Sequence, residues 1–321
     1  MESSPRLLKR FSKDLNHFYG ITPVGIYEAP RGFAAETFFV DTEDHSYFLK
    51  IMHNPRRQNI FKNGLRVVDA LVKSGIDYIT RVVTLSTGEL FFEKDGSVIA
   101  LFKRIDAKQS YEYNREAVFR KLAHIYRTSM NIPERDSFMK EEFSDHFIKG
   151  YEENVQFILS HEVKGEEAQE VKDMLIPHKE FLKSCPETIK ETIAKCQNEH
   201  ADYYITHSDI IPNIMIAENG DHFIIDFDET IFAPLERDGF LTIAAKNEDS
   251  KLWLSIMREF FPGYEVNETF IKYYLYERFM IDLTSFIQDL LHNPDREYRV
   301  KVVNSTRDYL LGWLLPMMVK Y

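Results

Sequence analysis

The sequence predicts an α+β fold in two lobes, and three features carry that prediction. The first hundred residues mix two helices with short β-type runs, the pattern turns mostly helical after about residue 107, and a β-rich island at about 203–228 interrupts the helices. A chain of 321 residues is long enough for two lobes sharing one cleft. The change of pattern gives a small sheet lobe over 1–105 and a larger, mainly helical lobe over 106–321.

Each element follows from its own spacing. Leu7, Leu8, Phe11, Leu15 and Phe18 recur at helical intervals over 5–19, and Gly20 closes the segment. TFFV and SYFLKIM, separated by the turn residues DTEDH, read as a hairpin, after an earlier run punctuated by Pro23, Gly25, Pro30 and Gly32. A helix follows over about 56–74, with Ile60, Leu65, Val68, Leu71 and Val72 on its apolar face and Gly75 as its stop. TRVVTL and SVIALFKRI, the latter after an EKDG turn, predict two more strands. NREAVFRKLAHIYRTSM is amphipathic through Val118, Leu122, Ile125 and Tyr126, and 137–197, 253–291 and 298–315 are helical in pattern. Trp253 and Trp313 fall in apolar helical surroundings, so both are expected in the core. Within the island the order is strand (YYIT), loop (HSDIIPN), strand (IMIA), turn (ENGD), strand (HFII).

Composition narrows the class. Hydrophobic residues make up 44% and charged residues 28%, as in an ordinary folded protein, which excludes a disordered or collagen-like chain. The net charge of −11, from 40 basic and 51 acidic residues, argues against nucleic acid or anionic lipid as the partner. Cys185 and Cys196 stand alone without a metal-type spacing, as idle thiols in a reducing compartment would. The N-terminus carries charge throughout and no apolar stretch of signal-peptide type, and the longest apolar run, Leu310 to Val319, is too short to span a bilayer. A cytoplasmic location is expected.

The island carries the chemistry. Asp209 follows a strand, Asn213 lies four positions on, and Asp226 ends the strand HFII, so a hairpin can bring all three together. Two carboxylates and an amide oxygen suit a hard cation such as Mg²⁺, which takes oxygen ligands and keeps water or phosphate oxygens as well. An Asp able to accept a hydroxyl proton beside an Asn and an Asp that hold Mg²⁺ is a phosphoryl-transfer arrangement. The same residues could instead cap turns.

The motifs also carry a resemblance. HSDIIPN (207–213) resembles the catalytic loop H-G-D-x-x-x-x-N of the aminoglycoside phosphotransferase family, and IIDFD (224–228) resembles its I-D-x-D metal segment. DFDETIFAPLERD (226–238) is similar to the D-W-D-x-x-x-x-A-P-x-E-R-D run of the spectinomycin phosphotransferase branch, and YER (276–278) and LAHIYRTS have counterparts there. The likeness runs through nearly the whole chain, most strongly over 203–240. It implies a bilobal, protein-kinase-like fold and an ATP- and Mg²⁺-dependent small-molecule kinase. Asp209 would be the catalytic base, and Asn213 and Asp226 the Mg²⁺ ligands. Lys50 would pair with the α- and β-phosphates. Gly32 would belong to the phosphate-binding loop, and the backbone at Leu101 and Lys103, in a hinge near 100–105, would receive the adenine. His207 would brace the loop from below.

Three departures accompany the resemblance. The catalytic loop is one residue short before Asn213, which a tighter turn around Pro212 absorbs or which turns the Asn off the metal. The helix after Lys50 lacks an acid to pair with it: there is none between residues 45 and 68, and Lys62 or Asn63 stands in its place. Ser208 replaces the common Gly. On the substrate side, Asp228, Glu236 and Glu277 are the acids expected to meet ammonium groups of a small cationic, hydroxylated substrate such as an aminocyclitol; Glu236 and its neighbours could equally form an ion-pair knot bracing the metal loop. A kinase for choline-like or sugar metabolites, and a kinase-fold nucleotide-binding protein with little catalysis, are the rival readings.

Overall fold

In the computed structural model, which describes residues 4–29 and 35–321, the predicted first helix is α1 (Pro5–Tyr19), closed by Gly20 in the left-handed conformation. Gly32 lies outside the described residues. The chain separates into two units, one of residues up to Glu141 together with Tyr203–Asp238, the other of Glu142–Asp202 together with Gly239–Tyr321.

In the first unit, strands β1 (Gly25–Glu28), β2 (Glu36–Asp41) and β3 (Ser46–Met52) precede helix α2 (Pro55–Lys73). Short strands β4 (Arg81–Val82) and β5 (Phe92–Lys94), the longer β6 (Ser97–Lys103) and β7 (Lys108–Gln109) follow, then helix α3 (Arg115–Ser129). The main sheet runs β1-β2-β3-β6-β4 with β5 also on β6, so β3 sits between β2 and β6 with Lys50 opposite Thr37 and Ala100. The predicted β2–β3 hairpin holds, Thr42 N–H closing its turn on the His45 carbonyl at 2.8 Å. Two details differ from expectation. EK belongs to β5 rather than to the turn, which Asp95 and Gly96 make alone with φ of 50° and 73°, the conformation a two-residue hairpin requires. TRVVTL forms a strand only at Arg81–Val82, with Val83 N–H still reaching the Leu101 carbonyl, before the chain folds back, Gly88 N–H reaching the Leu85 carbonyl.

On α2 the buried arc is Phe61, Leu65, Val68 and Leu71 together with Asn63, Gly64 and Val67. Ile60 and Val72, which the apolar spacing assigned to this face, are only partly buried. Phe61 and Leu65 pack with Met52, Val98, Ala100 and Phe102 against one face of the sheet, while Leu7, Phe11 and Leu15 of α1 pack with Ile26, Phe38, Val40, Leu49 and Leu101.

The second unit begins with α4 (Ile148–Ser160), α5 (Glu166–Leu175) and α6 (Lys179–Cys196). Between these and the rest of that unit the chain supplies the β island of the first unit as four strands, β8 (Tyr204–Thr206), β9 (Ile214–Ile216), β10 (His222–Ile224) and β11 (Ile231–Ala233), then α7 (Glu236–Ala244). β9 and β10 form a hairpin extended by β7, and β8 pairs with β11, a partner the sequence pattern did not distinguish. The second unit continues through α8 (Glu248–Phe260), α9 (Glu268–His292), α10 (Arg296–Ser305), a wide-turn helical segment over 306–314 and α11 (Leu315–Met318). α9 contacts α4 and α6 and buries Tyr273, Tyr274, Phe270 and Phe279; Phe143 stacks on Phe270 at 5.1 Å. Trp253 is core, as expected, but Trp313 is 39% exposed beside Tyr309, because the wide-turn segment leaves its ring on the outer face. Cys185 and Cys196 are buried and not joined in a disulfide. Among the described residues no helix is long and apolar enough to cross a membrane.

Candidate active site

Three stretches of the first unit build the site: β3, the loop between β8 and β9, and the loop between β10 and β11. Residues 78–80 run alongside the end of β10, with Ile224 N–H on the Tyr78 carbonyl and Thr80 N–H on the Ile224 carbonyl, and so fix the strand that delivers Asp226. The β9–β10 register sets Ile214 against Ile224, which leaves Asn213 and the residues after Ile224 at the same end of the hairpin. Ile225 N–H donates to the Asn213 carbonyl at 3.0 Å. Asn213 and Asp226 are thereby brought to one edge, as their spacing predicted.

The loop 207–213 is braced from inside. His207 is buried, its Nε2 2.7 Å from the Ile225 carbonyl, while its Nδ1 receives the Asp209 N–H at 3.3 Å. A carbonyl needs a donor and an N–H needs an acceptor, so the imidazole sits here as the neutral Nε2–H tautomer. This matches the bracing role expected of it. Ser208 adopts φ of 81°, left-handed backbone that glycine enters without the Cβ penalty. That conformation turns the N–H groups of His207 and Ser208 together onto the Asp238 carboxylate, at 2.9 and 2.6 Å, and Tyr126 adds its hydroxyl at 2.7 Å. Successive amides around a left-handed residue make an anion-binding concavity, and here the protein fills it with its own carboxylate. Arg237, next in sequence, donates to Thr206 Oγ1 and to the Glu229 carbonyl at 3.0 Å each. The segment ERD thus ties the strand entering the catalytic loop to the end of the metal loop.

The residue by which the loop 207–213 is shorter than the resembling motif is taken up by a turn at Ile210–Asn213, closed by Asn213 N–H on the Ile210 carbonyl at 2.9 Å. Gln109 of β7 donates to the Pro212 carbonyl from outside. Asn213 is buried and spends its amide N–H₂ on the Asp209 carbonyl at 2.6 Å, leaving its amide oxygen without a protein hydrogen bond among the described residues. The Asp209 carboxylate likewise has no hydrogen-bond or ion-pair partner among them, though its backbone is held at both ends.

The lysine is the opposite case. Lys50 is buried on β3, yet its ammonium lies 2.7 Å from Asp226 Oδ1 and 2.6 Å from Asp228 Oδ2. The second departure therefore does not leave Lys50 unpaired: two carboxylates of the metal loop replace an acid on α2, which faces Lys50 with the ring of Phe61, 5.9 Å from Nζ. Burial alone would pull the ammonium down, but Asp228 and Asp226 outweigh it and hold it above the ordinary lysine value. Burial pushes Asp228 up to about 6, with Lys50 opposing. Asp226 keeps 42% of its side chain accessible; burial would raise it too, but Lys50 wins and holds it below the usual carboxylate range. Asp226 also adopts a left-handed φ of 65°, an uncommon conformation for a residue other than glycine.

The other sequence candidates fall as follows. Leu101 and Lys103 lie on β6; the Leu101 carbonyl accepts Val83 N–H at 2.7 Å, and Lys103 ends the strand. Glu236 is buried at the start of α7. Glu277 lies on α9 in the second unit and accepts the Tyr273 hydroxyl at 2.9 Å. Asp228 is committed to Lys50. Sequence reasoning did not find Asn63 and Gly64 of α2, although a polar side chain and a glycine inside the buried arc of an amphipathic helix were a visible signal. Asn63 is buried, donates to the Thr230 carbonyl at 2.7 Å and accepts Met139 N–H at 2.8 Å. A Cβ at Gly64 would run into the Phe227 carbonyl oxygen.

Comparison with known proteins gives the family and the fold. Residues 26–266 match the family model described as the phosphotransferase enzyme family. No curated protein matches the sequence. Among solved structures, a spectinomycin phosphotransferase in complex with ADP and spectinomycin is 21% identical, with 97% of each chain covered and a TM-score of 0.76. An amicoumacin kinase complex is 13% identical, covering 97% of this chain and 93% of that one, with a TM-score of 0.63. A choline kinase from Streptococcus pneumoniae is 12% identical, covering 98% of this chain and 100% of that one, with a TM-score of 0.58. The fold shared with these chains is the α+β, kinase-like architecture that the sequence predicts.

Proposed function

The chain belongs to the phosphotransferase enzyme family and is a small-molecule phosphotransferase, and from that premise we propose that it moves the γ-phosphoryl group of ATP, with Mg²⁺, to a hydroxyl of an aminocyclitol or aminoglycoside of the spectinomycin type. The observation that carries the reading is that one unit holds both an Asp209 carboxylate without a partner among the described residues and a lysine locked to Asp226.

Asp209 would accept the hydroxyl proton as the acceptor oxygen bonds to the γ-phosphorus and the bond from that phosphorus to the bridging oxygen breaks, releasing ADP. His207, Asn213 and Asp238 keep its backbone in place, so that little reorganisation is needed when substrate arrives. Lys50 would pair with the α- and β-phosphates, its charge secured by Asp226 and Asp228. The donor set fits a hard cation: the free amide oxygen of Asn213 and the Asp226 carboxylate are oxygen ligands, and Mg²⁺ leaves its other positions to phosphate and water. Among the described residues no three His, Cys, Asp or Glu side chains gather into a cage of their own. Bound Mg²⁺ would neutralise charge developing on the phosphate oxygens. The adenine is assigned to the backbone around Leu101 and Lys103, and the phosphate loop to the segment containing Gly32. The division into a nucleotide lobe over 1–105 and a helical lobe over 106–321 belongs to this reading.

The cationic substrate rests on the acidic chain and on the fold shared with a spectinomycin phosphotransferase and a choline kinase; Glu236, expected among the substrate acids, is buried and better assigned to bracing the start of α7. With Asp228 held by Lys50, its better assignment is to fix that lysine rather than to meet substrate. Buried reduced thiols agree with a cytoplasmic location. The test is ADP release with ATP and Mg²⁺ across a panel of spectinomycin, other aminocyclitols, choline-like amino alcohols and sugars, with the Asp209→Asn enzyme as control. Turnover confined to aminocyclitols and lost in the control is expected. Preference for choline-like or sugar acceptors would move the assignment to a metabolite kinase. Stabilisation by Mg²⁺ and ATP without turnover of any acceptor would make the protein a nucleotide binder.

A further inference from the structure

Among the described residues, both charged partners of Lys50 stand on the loop that follows β10, and none stands on α2. The position of the lysine is therefore only as good as the position of that loop. Asp226 holds a left-handed backbone, and the short strand β11 begins only at Ile231. Something outside the loop must hold it.

α2 does so at three points. Arg57, near its start, pairs with Glu229. Gly64 offers bare backbone to the Phe227 carbonyl, a seat that any side chain would close. Asn63 supplies the directional contact: its N–H₂ bonds the Thr230 carbonyl and its amide oxygen bonds the Met139 N–H. Met139 in turn accepts Phe232 N–H at 2.8 Å, so one buried amide joins α2, the end of the loop and the segment that pairs beside β11. Both functions of the amide are used, and no other side chain of similar size donates and accepts at once in this way.

We propose that Asn63 is a positioning residue of the phosphotransferase: it fixes the Asp226–Thr230 loop, and through Asp226 and Asp228 it fixes the ammonium of Lys50. The inference rests on the kinase reading of the site. Helix and lysine communicate through the loop rather than through a direct ion pair, so displacement of α2 changes the metal loop and the lysine together.

The test compares Asn63→Leu, Asn63→Asp and Gln controls in the full chain. Leu keeps the branched shape, in a larger volume, but loses both hydrogen bonds. Asp keeps the acceptor for Met139 and recovers the donor for Thr230 only when protonated. With ATP and Mg²⁺ in excess, kcat is expected to fall about tenfold or more in Asn63→Leu, as for other supports of a catalytic group, with the acceptor KM little changed. Relative to wild type, Asn63→Asp should regain kcat as pH falls, while Asn63→Leu stays flat. Amide hydrogen exchange over 224–232, which needs no turnover, should quicken in Asn63→Leu while exchange in β2 and β3 is unchanged. A folded Asn63→Leu enzyme with wild-type kcat and wild-type exchange over 224–232 overturns the proposal. Equal losses in the Leu and Asp enzymes at every pH overturn it also. Absence of turnover in the wild type would instead sink the kinase reading, and the exchange measurement would still decide the role of Asn63.

Discussion

Asp209 and Asp226 stand at the two ends of one short stretch of β structure, yet the loops that carry them are stabilised in opposite ways. In the loop 207–213 it is the backbone that is held: His207, Asn213 and Asp238 take up the amides of 207–209 and the Asp209 carbonyl, and among the described residues the Asp209 side chain has no partner. In the loop 226–230 the acidic side chains are the ones engaged: Asp226 and Asp228 hold Lys50, Glu229 holds Arg57, and the backbone leans on α2 through Asn63 and Gly64. A group that must exchange a proton is kept free on a rigid frame, whereas groups that must keep a charge in place are tied by that charge. The difference separates residues whose replacement alters chemistry from residues whose replacement alters the fold as well.

The sharpest way to break the contrast is Asp209→Asn. Turnover is expected to fall about a thousandfold, while stability changes by no more than about 0.5 kcal/mol, since no partner is lost; chemical denaturation beside the rate assay reads both. Lys50→Met strikes the other loop. It leaves Asp226 and Asp228 facing each other without a cation, and removing one partner from a buried pair is costly, so a loss of about 2 kcal/mol together with loss of turnover is expected. Unchanged stability in that variant would show that the loop does not depend on the pair. Smaller effects come from backbone strain at Ser208. Ser208→Gly should stay within about 1 kcal/mol of wild type, and Ser208→Val should lose more than that, because a β-branched residue tolerates positive φ poorly. Equal melting temperatures for the two would remove the argument from conformation.

The smallest effect lies at the sheet edge, where Glu36 meets Arg10 at 2.9 Å and His53 at 3.0 Å in partial exposure. Burial would raise Glu36, but His53 and Arg10 outweigh it and the carboxyl sits below its ordinary value. A lowered carboxylate adds stability above its unfolded value and loses it as pH falls through the folded one. Glu36→Gln should therefore cost well under about 1 kcal/mol at neutral pH, and the gap from wild type should close in melts taken below about pH 4.

The same contrast explains what could be read from the sequence. Asp209, Asn213 and Asp226 were legible because the hairpin that joins them is local, and its strands, turn and polar ends lie in order along the chain. Lys50 was legible only by resemblance, since a lysine ending an apolar strand is usually a surface residue, and its partners lie far away in sequence. Asp228 was read as a substrate contact for the same reason: nothing nearby in the chain announces Lys50. Asn63 drew notice as a missing acid rather than as a buried amide, because helical periodicity scores a polar residue as outward-facing. β7 and β11 are too short for alternation to mark, so the predicted YYIT strand, β8, had no local signature of its pairing with β11. Trp313 failed because periodicity assumes ordinary helical pitch, and the 306–314 segment is wound more widely.

The bond between Lys50 and Asp226 spans 176 positions of the chain. A ribosome adding roughly 5–20 residues per second would need about 10–35 seconds to pass from the lysine to its first counter-charge. Throughout that interval β3 emerges with an ammonium that has no carboxylate partner and therefore resists burial, while β7 waits for β9. The first unit thus completes late in synthesis, and a chain arrested before Tyr203 would hold neither the loop that neutralises Lys50 nor the strand that pairs with β7.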